Sequence, residues 1–158
     1  MRQRGVCRCA STVADVTPEE CLITYGKAWF EPDHARRVDV LRECCTEDIV
    51  FMDPVLGRLE GLDAVSNMIG GYIGGRGGPN DDAPTESIER ERGRSGGGTS
   101  VDVVTPIDVR HGFFRYSFVW TMPDGSKSGG TDFCELADDG RMKLITVWPT
   151  DDNFPLPS

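Results

Sequence analysis

Apolar residues recur with a helical period in the first half of the chain and alternate with a strand period in the last third. This order constrains the fold more than any other feature. Three helical segments are predicted before residue 74, and strands dominate from residue 101 onward. Helices followed by a meander of strands are typical of an α+β domain. We therefore expect three helices that cover one face of a curved antiparallel sheet.

The helix boundaries follow from capping residues. Thr17, Pro18 and Glu20 form the pattern of a capping box with proline at the first helical position. This first helix should end by Pro32, and a second should begin near Asp33. A third helix is predicted after Gly61, with its end at the Gly70-Gly71 pair.

Length and charge limit the kinds of function. The chain has 158 residues, enough for one domain with one core, and its formal net charge of −9 disfavours binding to nucleic acid or anionic membranes. No run is long enough for a transmembrane helix, and we expect a cytoplasmic protein. We predict a flexible tail at 1–14, a domain at 15–150 with a glycine-rich mobile insert at 74–99, and a second tail at 151–158.

The cysteines do not indicate a metal site. There are six, and neither Cys7-Arg8-Cys9 nor Cys44-Cys45 has the two-residue gap that is usual in zinc knuckles. We expect free thiols and no metal or cofactor.

One short stretch carries the first candidate for catalysis. In the run 49–53, strand alternation places Ile49, Phe51 and Asp53 on one face. A carboxylate among apolar neighbours has a raised pKa, which suits a general base. The alternative is structural, since Asp before Pro54 also begins turns.

A second inward carboxylate lies among the later strands. Asp132 shares its predicted strand face with Gly130, Cys134 and Leu136, and a neutral carboxylic acid there could donate a hydrogen bond to an oxyanion. The strand 113–121 places a row of large aromatic and apolar side chains on one face. The predicted walls of an apolar pocket are Trp29, Phe51, Tyr116, Phe118, Trp120 and Trp148, with a packed core as the equally good alternative.

Over about residues 17 to 150 the chain resembles the nuclear transport factor 2-like cone, the superfamily of ketosteroid isomerases, limonene-epoxide hydrolases and SnoaL-type polyketide cyclases. Met52-Asp53-Pro54-Val55 is similar to the Asp-Pro-Val that carries the general base of ketosteroid isomerases. In that family the oxyanion-hole tyrosine precedes an Asp in the sequence, and Tyr25 precedes Asp33 in a similar way. Asp132, followed by Gly140 and Trp148, is similar to the layout around the oxyanion-hole aspartic acid.

The resemblance implies a cone-shaped fold and a cofactor-free isomerase of an apolar ketone or polycyclic molecule. Asp53 would be the base, and Tyr25 and protonated Asp132 would hold the enolate. It also implies a homodimer formed through the outer sheet face. Two alternatives stay open: epoxide opening by the same acid pair, and a non-catalytic module that binds a small molecule.

Overall fold

The computed structural model describes residues 16–54, 56–73, 100–121 and 125–149. These residues form three helices and seven strands. The helices are α1 (Pro18–Ala28), α2 (His34–Cys44) and α3 (Leu62–Ile73). The strands are β1 (Cys45–Asp53), β2 (Gly57–Glu60), β3 (Ser100–Val103), β4 (Asp108–Arg110), β5 (Phe113–Thr121), β6 (Lys127–Leu136) and β7 (Met142–Pro149). The predicted tails and the 74–99 insert lie outside the described residues, and they stay predictions.

The helices begin where the sequence predicts. The side chain of Thr17 accepts a hydrogen bond from the backbone N–H of Glu20, and the Glu20 carboxylate accepts one from the backbone N–H of Thr17. This reciprocal pair satisfies two amide donors that a helix start leaves without partners. Asp33 caps α2 through its bond from the Arg36 amide. The first helix ends at Ala28, well before Pro32, with Trp29 as its C-cap.

The strands form one sheet in the order β2-β1-β7-β6-β5-β3, with β4 also paired to β5. The predicted α+β fold of three helices against one curved sheet is confirmed. The sheet is mixed rather than wholly antiparallel, because β1 and β7 run parallel while the remaining pairs are antiparallel. Six elements separate β1 from β7 in the described chain, namely β2, α3 and β3 to β6, so this parallel pair is not a hairpin.

The structure adds one strand and corrects one local prediction. The added strand is Gly57–Glu60, which pairs with β1 as a short hairpin strand. Helix α3 does not end at Gly70-Gly71 but continues to Ile73. At Gly70 a Cβ atom would lie 2.5 Å from a guanidinium nitrogen of Arg37, so the glycine leaves the space that this buried arginine fills.

A four-residue polar cluster joins α2 to α3 beneath that glycine. Arg37 donates from Nε to the backbone oxygen and hydroxyl of Ser66, and from Nη1 to the backbone oxygen of Glu31. The Ser66 hydroxyl lies 3.0 Å from His34 Nδ1, and His34 Nε2 lies 3.1 Å from Asp63 Oδ1. Arg37 and Ser66 are almost fully buried, so this cluster fixes the packing of the two helices.

Four cysteines of the described chain are buried free thiols: Cys21, Cys44, Cys45 and Cys134. The Sγ atoms of Cys44 and Cys45 are 3.8 Å apart and are not bonded. Burial raises the pKa of Cys21 to about 12. A thiol that stays protonated is a poor nucleophile and a poor metal ligand, which makes Cys21 a core residue. The other three cysteines are buried in the same hydrophobic core.

Candidate functional site

An apolar cavity of about 480 Å³ lies between the sheet and the helices α1 and α3. Its inner end is formed by residues of the sheet interior, among them Phe51 of β1 and Tyr116 of β5, which are both buried. Toward its outer rim lie Ile23 of α1 and Val103 of β3, which are substantially exposed. The cavity is therefore large enough for a small ring system and is lined mainly by hydrophobic side chains.

Asp132 lies in this cavity and is the most unusual polar group of the described chain. It is 4% exposed, and its Oδ1 atom is buried without a hydrogen-bond partner. Desolvation raises the pKa of Asp132 to about 7, a hydrogen bond from Tyr116 lowers it, and the charge of Asp53 raises it. At neutral pH a large share of Asp132 is thus a neutral acid, which can donate a hydrogen bond.

Tyr116 holds the other oxygen of Asp132. The two residues are directly opposite each other on β5 and β6, and the Tyr116 hydroxyl donates to Asp132 Oδ2 over 2.6 Å. Desolvation raises the pKa of Tyr116 well above its usual value, so its hydroxyl keeps its proton. With Oδ2 accepting from Tyr116, the acid proton of Asp132 is best placed on Oδ1, the oxygen without a protein partner.

The sequence predicted Tyr116 only as a wall residue and expected Tyr25 to be the tyrosine beside Asp132. Tyr25 does line the cavity and is buried, but the hydrogen-bond partner of Asp132 is Tyr116. Burial raises the pKa of Tyr25 well above its usual value, the charge of Asp132 adds to the rise, and a hydrogen bond from Trp29 opposes it. Tyr25 therefore also stays protonated, within electrostatic reach of Asp132.

Asp53 shares the cavity with Asp132, at the end of β1. The predicted alternation holds, since Ile49 and Phe51 are buried on the same strand face and Asp53 is half-buried at the cavity. The structural alternative holds as well, because Asp53 Oδ1 accepts a hydrogen bond of 2.9 Å from the backbone N–H of Leu56. This turn anchors one carboxylate oxygen and so fixes the orientation of the side chain.

Most of the predicted wall residues line the cavity. They are Trp29, Phe51, Tyr116, Phe118 and Trp120. The placement predicted for Trp148 is wrong, because its side chain is 56% exposed and lies on the outer sheet face beside Thr131. Its neighbour Val147 takes the place on the cavity side. Val147 and Trp148 lie near the end of β7, and the sequence did not indicate which of the two side chains points into the cavity.

Further wall residues, which the sequence did not predict, come from α3, from the edge strand β3 and from the segment between β3 and β4. These are Met68, Tyr72, Ile73, Val101 and Ile107. Trp29 contacts Tyr72 and Trp120 edge to face, with ring centres 5.7 Å and 5.5 Å apart. The helical period around Met68 to Ile73 was recognised, but periodicity does not say which apolar face borders a cavity and which is packed.

Within the described ranges, no group of three or more His, Cys, Asp or Glu side chains is arranged to hold a metal ion. Nor does any described helix have the length and apolar character that crossing a membrane requires.

Neither a protein-family model nor a curated protein matches the sequence. Solved structures do match it. A candidate isomerase of the SnoaL-like family from Agrobacterium tumefaciens is 25% identical, with a TM-score of 0.60, over 83% of this chain and 95% of that protein. A nuclear transport factor 2-like protein of unknown function from Mesorhizobium loti is 15% identical, with a TM-score of 0.53, over 84% of this chain and 90% of that one.

A candidate SnoaL-like polyketide cyclase from Jannaschia matches with 13% identity and a TM-score of 0.50, over 83% of each chain. At this identity the likeness concerns the fold.

Proposed function

We propose that this chain, which has the fold of nuclear transport factor 2-like and SnoaL-like proteins, is a cofactor-free isomerase of an apolar ketone. The reaction would move a proton from a carbon next to the carbonyl to another carbon, through an enolate. One observation carries the proposal: Asp132 is buried in an apolar cavity with an unpartnered oxygen, and a second carboxylate, Asp53, borders the same cavity.

Asp53 is proposed as the general base. Its Oδ1 atom is fixed by the Leu56 amide, so the carboxylate has a defined direction toward the cavity without a long flexible arm. A base must be held within hydrogen-bond reach of the proton that it removes, and such catalysis contributes about 10²- to 10⁴-fold to the rate.

Asp132 and the tyrosines are proposed to stabilise the enolate. A protonated Oδ1 of Asp132 would donate to the substrate oxygen, while Tyr116 keeps Oδ2 occupied. The Tyr25 hydroxyl, protonated and near Asp132, is the proposed second donor. Donors that are fixed where negative charge develops lower the barrier by a few kcal/mol each, about 10²- to 10³-fold in rate.

Proton exchange at the carbon next to the carbonyl tests this proposal whatever the final product is. A panel of cyclic ketones, including a 3-oxo-Δ5-steroid, would be incubated with the protein in D₂O, and loss of the α-proton signal followed by NMR. We expect enzyme-dependent exchange in at least one ketone. Asp53→Asn should reduce the exchange rate by about 10²-fold or more, because it removes the base.

Asp132→Asn should reduce the same rate by about 10- to 10³-fold, since an amide is a weaker donor than a carboxylic acid. The matched control is Asp48→Asn, which makes the same change on the exposed part of the same strand β1. Exchange at the parent rate in Asp53→Asn would remove Asp53 from the role of base.

Epoxide opening is the second candidate, and the raised pKa of Asp132 favours it. An acid that is still protonated near pH 7 can give its proton to an epoxide oxygen while Asp53 activates water. Incubation of an apolar epoxide in water enriched in oxygen-18 decides between the two reactions. Label in a diol product supports ring opening, whereas deuterium exchange in ketones without diol formation supports isomerisation.

A further inference from the structure

We propose that this cavity selects its ligand by charge, admitting uncharged and positively charged apolar molecules and rejecting anions. The inference rests on the proposed isomerase. Selection by charge narrows the substrate to a neutral or amine-bearing ketone, and it excludes ketones that carry a carboxylate, phosphate or sulfate. The binding preference itself does not require turnover and can be measured in its absence.

The ionisable side chains at the cavity supply only acidic charge. Glu19 lies at the α1 side, Asp53 at the end of β1 and Asp132 at the inner end, and among the described residues that line the cavity there is no Lys, Arg or His. An anionic ligand would approach up to three carboxyl groups with no compensating cation from these residues. Because the walls are apolar, solvent screens this repulsion poorly.

Two arginines of the described chain, Arg37 and Arg115, are engaged away from the cavity. Arg37 is buried between α2 and α3, where Ser66 and the backbone of Glu31 accept its hydrogen bonds. Arg115 points from the outer face of β5 and pairs with Asp108 at 3.3 Å. Neither side chain borders the cavity.

The aromatic wall adds to the preference. At the cavity wall Trp29 contacts Tyr72 and Trp120 edge to face, and Phe30 is tilted against Trp120 from outside the lining. The faces of these rings carry partial negative charge, which attracts ammonium groups and repels carboxylates. The net charge of −9 acts in the same direction at long range, since it lowers the local concentration of anions.

Three isosteric naphthalene compounds would test the inference: 2-acetonaphthone, 1-(2-naphthyl)ethylamine and 2-naphthoate. They present one ring system with a neutral ketone, an ammonium group and a carboxylate. Binding is followed by competition and by the change in tryptophan fluorescence, because Trp29 and Trp120 form part of the wall. At about pH 8 we expect the ketone and the ammonium to bind, and the naphthoate to bind at least about tenfold more weakly than the ketone.

Variants separate the charge of the cavity from the charge of the whole chain. Asp53→Asn and Asp132→Asn should each strengthen naphthoate binding relative to the ketone by several-fold, since each removes one carboxylate from the wall. Asp48→Asn also removes one negative charge from the chain, but at an exposed position of β1 outside the cavity, and it should leave the ratio unchanged. If naphthoate binding relative to the ketone improved equally in all three variants, selection by the charges of the cavity would be refuted, and only long-range repulsion by the whole chain would remain.

Lowering the pH supplies a second readout. Asp132 is faced by Tyr25 of α1, Asp53 of β1 and Tyr116 of β5, with Cys134 two residues along β6. Burial raises the pKa of Tyr25, Tyr116 and Cys134 well above their usual values, so these three groups keep their protons throughout. The change from about pH 8 to about pH 5.5 passes through the pKa of Asp132, which is about 7, and protonates this carboxyl group. The naphthoate penalty should therefore shrink more in the parent than in Asp132→Asn.

Naphthoate that binds as tightly as the ketone at about pH 8 would overturn the inference. This outcome is independent of catalysis. If the cavity rejects anions but no proton exchange is seen, the proposed isomerase is refuted and the charge selection stands. If ketones exchange protons but naphthoate binds tightly, the charge selection is refuted and the proposed isomerase stands.

Discussion

Burial of Asp132 links the stability of the fold to pH. Its pKa is about 7 in the folded protein, against a usual value of 3.8. Between about pH 4 and about pH 7 the folded chain therefore holds a proton that the unfolded chain has released, and stability falls as the pH rises through this window. A shift of about three units corresponds to a loss of up to about 4 kcal/mol.

Asp132→Asn should abolish this loss, because the amide has no charge to desolvate. We expect the variant to unfold in urea with a free energy close to that of the parent at about pH 4.5, and to be more stable than the parent by about 1 to 4 kcal/mol at about pH 8. Asp48→Asn is the control for a general change in charge. Parallel pH profiles of the parent and Asp132→Asn would contradict the raised pKa.

The hydroxyl of Tyr116 should set the titration of Asp132. It donates a 2.6 Å bond to Oδ2, and this bond lowers the pKa of Asp132 against the larger effect of desolvation. Tyr116→Phe removes the donor and should raise that pKa by about one unit, since a hydrogen bond to a charged group contributes about 1.5 to 3 kcal/mol.

Carbon-13 NMR of the Asp132 carboxyl group measures this change in pKa. Where the protein catalyses proton exchange, the pH at which the exchange rate falls on the alkaline side should rise by the same amount. Tyr25→Phe is the matched control at the same cavity, because Tyr25 makes no hydrogen bond to Asp132 that would hold its pKa down. A titration of Asp132 that is unchanged in Tyr116→Phe would show that the hydroxyl does not act on the charged form.

At the scale of the secondary-structure elements, the hairpin of β5 and β6 shows what the sequence could specify. Its register pairs Tyr116 with Asp132, and each is eight positions from Asp124 in the sequence Pro123-Asp124-Gly125, which is typical of a turn. Because paired residues share a sheet face, the contact of these two side chains followed from the turn and the strand alternation. The sequence contained this signal, and only the resemblance to a tyrosine on α1 directed attention to Tyr25 instead.

Other features of the elements had no local signal. The strand β2 is four residues long with two charged side chains, and it forms because β1 offers an edge beside it. The parallel pairing of β1 with β7 joins two strands that are separated by more than half of the chain. The Gly70-Gly71 pair looks like a helix end in sequence, whereas the space that Arg37 requires explains Gly70 inside the helix.

Replacement of two helical glycines should give effects of opposite sign. Gly70→Ala places a Cβ 2.5 Å from Arg37 Nη2, and the guanidinium is pinned by Ser66 and the Glu31 backbone, so it cannot swing away. We expect a net destabilisation of about 1 to 3 kcal/mol in urea unfolding. Gly26→Ala in α1 meets nothing within 4 Å and should stabilise by about 0.5 to 1 kcal/mol. Stabilisation by both changes would show that Arg37 moves freely.

At the scale of the whole molecule, the outer sheet face carries more exposed apolar surface than a face turned to water requires. Met52, Phe133 and Trp148 are between 37% and 56% exposed there, and Phe113 is 51% exposed on the same face of β5. Cross-strand pairing places Phe133 beside Thr146, which in turn pairs with Met52. We propose that this face pairs with a second copy of the chain, whose identical surface would match it about a two-fold axis.

A charge in the middle of that face should separate the copies. Phe133→Asp places a carboxylate among the apolar side chains, where each copy would bring a like charge to the two-fold axis. We expect a monomer at concentrations at which the parent sediments as a dimer.

Val109→Asp is the control, because Val109 is 44% exposed but pairs with Phe114 and so belongs to the opposite sheet face. Sedimentation velocity distinguishes the species. Because Phe133 does not line the cavity, the binding of 2-acetonaphthone should survive in the monomer, which shows that the variant remains folded. A parent that sediments as a monomer, or a Phe133→Asp variant that remains a dimer, would remove this face as the interface.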